Sequence, residues 1–441
     1  MEEQFNESVA ATARGARDSE ISLDNLAEIV KSVIAATPVF DLHTHLYAPQ
    51  FSELDLRGID EILNYHYLIA EFFRSSATPP EEFWRLEKRT QADLIWRTLF
   101  VENTPLSEAT RGVVTILSAL GLDPGANDLR EAREYFSSRE SARHLEDVLR
   151  IAGVSDVAMT NDPLDETETE VWNGGEALDR RFHAALRLDR ILNDWTRAAP
   201  KIAAQDYDVS GALDERAKNE TRRFLENWIG RMNPLYLGVS LPDDFLYPED
   251  SARGALLRDV VLPVCKERKI TLALMIGVRR RVNPAIRLAG DGVGRADVGA
   301  VERLCAENPE VGFLATFLSR ENQHELCVAA RKFSNLMPFG CWWFLNNPSI
   351  IAEITRERFE LLGTSFIPQH SDARILEQLI YKWDHSRTAI ADALTESYAN
   401  LWRSGRQITR REIERDAEKL FSGNFRRFVG LEAEPAKSEI R

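Results

Sequence analysis

The sequence predicts an α/β fold, a (β/α)8 TIM-like barrel with a helical insertion after its first strand. Three observations lead there. Short apolar, strand-like runs recur eight times, and helical patterns separate most of them. That alternation calls for right-handed crossovers and a parallel sheet. The stretch 47–152 holds few β-branched runs and mainly helical periodicity. Finally, the first run ends in His43-Thr44-His45 and the last leads into Ser371-Asp372-Ala373-Arg374. A closed ring would bring these two ends side by side where such barrels carry their chemistry, at the C-terminal ends of the strands. An open doubly wound sheet is the alternative arrangement.

Taken in order, residues 1–20 read as a loose leader, polar and acidic, with no apolar signal-peptide core. Leu23, Leu26, Ile29, Val30, Val33 and Ile34 then recur at the three- and four-residue steps of a helix, which Ser22 can cap and Pro38 ends. The first strand is 39–43, so 21–46 hold the barrel's first helix and strand. Helical patterns at 59–73, 80–100, 107–120 and 126–152 make up the insertion 47–152, an excursion of the kind that commonly covers an active site. The other strand runs are 156–160, 184–188, 235–241, 270–276, 311–318, 336–344 and 359–367. Helices at 214–231, 256–268, 297–307, 321–333 and 349–358 lie among them. The end is helical at 374–386, 389–404 and 409–421, the last opening with a capping box from Thr409 to Glu412. Residues 153–431 thus complete the barrel with its C-terminal helices, and 432–441 read as a tail.

Composition narrows the function. A chain of 441 residues with 44% hydrophobic content can bury a large core. Its net charge of −15 disfavours nucleic acid and anionic membranes as partners. A small anionic substrate stays compatible, because a few local arginines outweigh a global field. Cys265, Cys305, Cys327 and Cys341 form no C-x-x-C and read as small apolar residues in a reducing compartment. No apolar run of membrane-spanning length is present, so a cytoplasmic protein is expected.

On an extended strand, side chains at i and i+2 point the same way. His43 and His45 therefore face one side, a ready pair of ligands for a divalent metal. An isolated His-x-His is more often two unrelated histidines, so a third ligand decides the matter. Asp372 supplies it on ring closure, leaving room for water and substrate. His370 is a rival from the same segment, better suited to holding the loop or orienting Asp372. Other motifs carry no chemistry: 290–294 does not match a dinucleotide fingerprint, and His324-Glu325 lacks a second histidine at zincin spacing. There is no nucleophile elbow and no P-loop.

Six motifs carry a family resemblance. They are Asp41-Leu42-His43-Thr44-His45-Leu46, Asn64-Tyr65-His66-Tyr67, Thr160-Asn161-Asp162-Pro163, Leu186-Arg187-Leu188-Asp189, Gly340-Cys341-Trp342-Trp343-Phe344 and Ser371-Asp372-Ala373-Arg374. Each is weak alone; in this order, at strand ends, they resemble the uronate (glucuronate) isomerase family of the amidohydrolase superfamily over roughly residues 25–430. The resemblance implies an aldose–ketose isomerase converting D-glucuronate to D-fructuronate and D-galacturonate to D-tagaturonate. It implies one divalent ion, expected as zinc, on His43, His45 and Asp372. Many members carry a histidine at the end of strand five, where this chain has Met275, a poor ligand for such an ion. The sequence thus resembles a divergent branch lacking that histidine. No strand-four lysine suited to carbamylation stands out, which disfavours a binuclear hydrolase centre.

Removing the proton beside the aldehyde needs a base within hydrogen-bond reach, here Asp372 or a water it controls. Tyr67 or His66, from the insertion, would handle the second proton. The substrate's carboxylate calls for a guanidinium fork, with Arg187 first, Arg374 second, and one of Arg279 and Arg280, taken as Arg280. Strand alternation lets one of Trp342 and Trp343 wall the pocket. A homo-oligomer is expected. The alternative activity is a mononuclear amidohydrolase-type hydrolysis of a small acidic amide, ester or lactone; a sugar-acid binder without turnover is the third.

Overall fold

The computed structural model describes residues 21–431, so the expected leader and tail lie outside the described residues. The first helix, Leu26–Ala36, buries the stripe Leu26, Ile29, Val30, Val33 and Ile34. Its N-cap is Asn25, not Ser22 as the pattern suggested; Ser22 N–H instead donates to Asn25 Oδ1 at 2.8 Å. The helix ends at Thr37, which is extended with ψ 122°, as the residue before a proline is driven to be.

Eight strands form one sheet: β1 (Val39–Thr44), β2 (Val154–Asn161), β3 (Phe182–Arg187), β4 (Tyr236–Pro242), β5 (Thr271–Arg279), β6 (Gly292–Val293), β7 (Phe313–Phe317) and β8 (Leu336–Pro338). All but β6 pair in parallel, in chain order. β6 is a short antiparallel partner of β5, off the main path. Each parallel step needs a crossover over one face, and helices supply it throughout. Between β1 and β2 the described chain is helix and turn only. Those helices do not make a core of their own. They pack into one cluster with Leu26–Ala36 and the C-terminal helices.

The last two expected strands are largely corrected. The run 336–344 is strand only through Pro338, and 359–367 begins as helix, because Pro348–Leu362 continues through it. Phe359 continues the buried face that Ile351, Ile354, Thr355 and Arg358 set up in that helix, so the start of the 359–367 run stays helical; a short apolar run does not by itself separate helix from strand. What remains of the eighth stave is extended chain with one bridge, Ile367 to Phe339. Ring closure rests on few backbone bonds. Ile367 N–H donates to Pro338 O (3.0 Å) and Gly340 N–H to Ile367 O (2.9 Å). Across the seam, Asp372 N–H donates to His43 O (3.1 Å) and His45 N–H to Ala373 O (2.7 Å). Arg358, fully buried, clamps this region by donating to Ile367 O, Gly340 O and Gln323 Oε1.

The barrel interior is filled by Phe40, Leu42, Ala158, Ala185, Tyr236, Ala273, Met275, Leu314, Phe339 and Ile367, among others. The expected helices 374–386 and 389–404 are one helix, Gln378–Arg403, with no glycine or proline to break it. The capping box at Thr409 is present, heading Arg410–Glu418. The four cysteines are buried and unpaired. No helix among the described residues is long and apolar enough to cross a membrane.

Candidate active site

β1 reaches the barrel mouth with a shifted register. Asp41 pairs with Val157 and Thr44 with Met159, so three steps of β1 match two of β2. Such a bulge changes which residues face inward. Phe40 and Leu42 pack in the interior, and beyond the shift His43 and His45 both turn to the mouth. The chain that meets them from the far end is held by Asp41, which accepts from Ser371 N–H (3.0 Å) and from Trp383 Nε1 (2.8 Å). Asp372 adopts the left-handed region, φ 51°, uncommon for a residue other than glycine. Its Oδ1 then lies 3.3 Å from His45 Nε2 and 3.7 Å from His43 Nε2.

Two hydroxyl groups settle the tautomers. Tyr236 Oη donates to Leu42 O (2.9 Å), so at 3.0 Å from His43 Nδ1 it can only accept. Thr160 Oγ1 donates to Thr44 O (2.9 Å), so at 2.7 Å from His45 Nδ1 it too accepts. Both imidazoles therefore carry the proton on Nδ1 and turn an Nε2 lone pair toward Asp372. The three atoms lie within 4.8 Å of one another, and Asp372 Oδ1 is buried with no hydrogen-bond partner. Three lone-pair atoms converge with no proton to share, a set that fits a divalent cation.

The charges agree with that fit. Burial lowers His43 to about 3, with Asp372 opposing. Burial and then the Arg374 charge lower His45 to about 4. Burial alone would raise Asp372, but His45, His43 and Arg374 outweigh it and hold the carboxyl well below its usual range. At neutral pH the group is two neutral nitrogens and one carboxylate. Met275 packs in the interior cluster.

One narrow cleft opens on this centre. Arg187, Arg280, Arg374, His66, Trp342 and Trp343 line it together with His43, His45 and Asp372. Burial would lower the Arg187 guanidinium, but Asp189 and Asp162 outweigh it and keep Arg187 charged. Arg280 reaches over Trp343, 6.0 Å from the ring centroid, and is anchored on Asp291 at 2.6 Å. Arg279 points away, to Asp243 at 2.6 Å. Both tryptophans line the cleft, where one was expected. The chain has left the strand at Pro338, and Trp343 has φ 48°, so alternation no longer governs them.

Tyr67 does not line the metal cleft. It lines an adjoining cavity with Glu71 and Glu108, joined to the first through His66, Leu288 and Trp343. Its phenol oxygen is buried and unpartnered. Burial and then Tyr65 and Asp372 push its pKa well up. His370 does not orient Asp372 by a hydrogen bond: both ring nitrogens lack a partner. It packs edge-on to His43, 5.2 Å between centroids, against Gly340, where a Cβ would lie 2.0 Å from its Cδ2. Sequence reasoning passed over Tyr236, which looks like any aromatic in a strand, and Lys382, which looks like any lysine on a helix. Thr160 stood in a quoted motif but with no role.

No protein-family model and no curated protein sequence matches the chain. Solved structures do. A uronate isomerase from Bacillus halodurans C-125 is 53% identical, with a TM-score of 0.91 over 94% of this chain and 98% of that one. A uronate isomerase from Thermotoga maritima (15% identity, TM-score 0.73, 92% of this chain and 97% of that one) and a glucuronate isomerase from Caulobacter crescentus (14%, 0.76, 95% and 96%) share the fold.

Proposed function

The chain belongs to the uronate isomerase family, and we propose that it interconverts aldo- and keto-hexuronates, D-glucuronate with D-fructuronate and D-galacturonate with D-tagaturonate. The observation that carries this reading is the cleft itself: arginines and the His43–His45–Asp372 group line one small cavity. An open-chain hexuronate has the matching polarity, a carboxylate at one end and a carbonyl at the other.

His43, His45 and Asp372 would hold one divalent ion, and zinc suits their two nitrogens and one oxygen. When bound, such an ion supplies positive charge for the oxygens that become anionic as the proton beside the carbonyl leaves. The protein's own groups do the rest. Arg187, with Arg374 and Arg280, takes the far carboxylate, where a charged fork gives both affinity and direction. Asp372, held ionised by its neighbours, is the base for the carbon-bound proton. The second proton is assigned to Tyr67, which would reach from the adjoining cavity past His66, Leu288 and Trp343. Its phenol is kept protonated by burial, and His66, kept neutral by burial, retains one N–H that can relay a proton between the two cavities. Trp342 and Trp343 wall the cleft and exclude water. The net charge of −15 and the four unpaired cysteines fit a reducing, cytoplasmic setting without nucleic-acid partners. A homo-oligomer is the expected assembly, to be read by light scattering.

The test is direct. Metal-replete protein is incubated with D-glucuronate in deuterated water and followed by proton NMR. Ketose formation supports the proposal. Hydrolysis of a lactone panel without isomerisation replaces it with the amidohydrolase-type activity, and binding without turnover replaces it with a sugar-acid binder.

A further inference from the structure

Lys382 is a buried cation that the chemistry above leaves unused. It sits on the Gln378–Arg403 helix, 2% exposed, and its Nζ has no hydrogen-bond partner among the described residues. Instead the ammonium lies against two aromatic faces, 5.4 Å from the Tyr67 ring centroid and 5.6 Å from that of Tyr381. A cation over a ring is attracted by its quadrupole, but this replaces only part of the hydration lost on burial. A methionine would fill the same space with no charge to desolvate. Packing therefore does not require a lysine here.

The surroundings say what the charge faces. Burial lowers the Lys382 ammonium below its ordinary pKa, and Glu108, Asp372 and Asp41 oppose that through space and favour the charged form. Its own field reaches His66, His370 and His385. The side chain thus lies behind Tyr67, within electrostatic reach of Asp372. Tyr67 Oη, like Lys382 Nζ, is buried, and the Tyr67 ring rests against His66 (4.6 Å), Tyr65 (4.9 Å) and the Lys382 ammonium.

We propose that Lys382 is a positioning residue for the isomerisation, helping to hold the Tyr67 ring in the cavity that adjoins the cleft and biasing its phenol toward giving up a proton. Lys382 acts through Tyr67 and does not touch the substrate. A positive charge beside a phenol favours the phenolate that forms when the proton leaves, and it is already in place when that happens. This inference rests on the isomerase reading and on Tyr67 as the second proton donor.

The test uses full-length, metal-loaded wild type, Lys382→Met, Tyr67→Phe and the double variant, with D-glucuronate as substrate. Lys382→Met should lower kcat about tenfold or more while KM stays within about threefold. Its melting temperature should equal or exceed that of wild type, because an unpaired buried charge has gone. In the Tyr67→Phe background the same change should remove no further activity, since the two residues act as one unit. A lower melting temperature with unchanged kcat assigns Lys382 to packing and overturns the proposal. Additive losses in the double variant overturn the route through Tyr67. Should Lys382→Met not accumulate as folded protein, Lys382→Arg and Lys382→Gln decide: the first should keep kcat within about threefold and the second should lose it, and equal rates overturn the proposal. A wild type that does not isomerise sinks the isomerase reading and this inference together. An active wild type beside an unimpaired Lys382→Met sinks this inference alone.

Discussion

Tyr236→Phe removes one oxygen from the fully buried barrel interior and nothing else. Two bonds go with it, from Tyr236 Oη to Leu42 O at 2.9 Å and from His43 Nδ1 to Tyr236 Oη at 3.0 Å. His43 Nδ1–H and Leu42 O are left facing a ring edge. An unsatisfied buried polar group costs roughly 1–3 kcal/mol. His43 can relieve that cost by moving its proton to Nε2, but the nitrogen facing Asp372 is then a donor and no longer a ligand. Either state lowers the population of the ligating tautomer. The expected loss is about 10–100-fold in metal affinity, which corresponds to roughly 1.4–2.7 kcal/mol. The assay is competition for zinc against a chelator of known affinity at fixed pH, with circular dichroism to check the fold. Thr160→Val repeats the experiment on His45, whose Nδ1 is held by Thr160 Oγ1 at 2.7 Å, and should give a loss of similar size. An affinity within about threefold of wild type for Tyr236→Phe would refute the tautomer argument.

Three further predictions follow from the same geometry. Arg187→Met should raise KM for D-glucuronate about tenfold or more with a smaller change in kcat, because a charge-assisted bond to the carboxylate is worth roughly 1.5–3 kcal/mol; steady-state kinetics showing an unchanged KM would place the carboxylate elsewhere. Arg358→Met should lower the urea midpoint, with a loss of roughly 3 kcal/mol or more, because Ile367 O, Gly340 O and Gln323 Oε1 lose a shared buried donor at the closure seam; an unchanged midpoint would mean the seam holds without it. Chelator-treated protein should be less stable to urea at pH 5 than at pH 6.5. His43, His45 and His385 are lowered to about 3, 4 and 4, and His66 and His370 lie well below their ordinary value. Below about pH 6.5 the unfolded chain therefore binds more protons at these five groups, and stability falls as pH drops toward the folded values. Asp41, raised to about 6, Glu168, raised to about 7, and Glu71, Glu108 and Asp162, also raised by burial, have the opposite sign, since each holds an extra proton in the folded state as pH falls. The five histidines take up most of their unfolded-state protons inside this window, so their sign prevails, and a higher midpoint at pH 5 would contradict the burial argument.

What the sequence made legible and what it hid divide along physical lines. The His-x-His pair is a local pattern, and barrel closure is a general rule, so the approach of Asp372 to His43 and His45 could be anticipated across more than 300 residues. The eighth strand could not, because the helix expected at 349–358 runs on to Leu362 and takes the first part of the 359–367 run, and the closing chain makes one bridge rather than a ladder. The tryptophan pair was misjudged because alternation holds only while the chain stays a strand, and here it leaves at Pro338. Tyr236 gave no sequence signal, since its partner His43 is 193 positions away and its hydroxyl matters only in that contact. The split of 59–73 into Ile59–Leu63 and His66–Ser75 was equally hidden. It arises at Asn64 and Tyr65, where Asn64 Nδ2 turns back to Asp60 O (2.8 Å) and Tyr65 is extended, and it places His66 at the first turn of the second helix, against the cleft.

The two ends of the chain are argued to share one cation and one base through Asp372. The initial rate of ketose formation by Asp372→Asn, measured on protein whose fold matches wild type by circular dichroism, bears on this most directly. Turnover should be abolished, because the amide neither carries the charge nor accepts the proton. A rate near that of wild type would contradict the account.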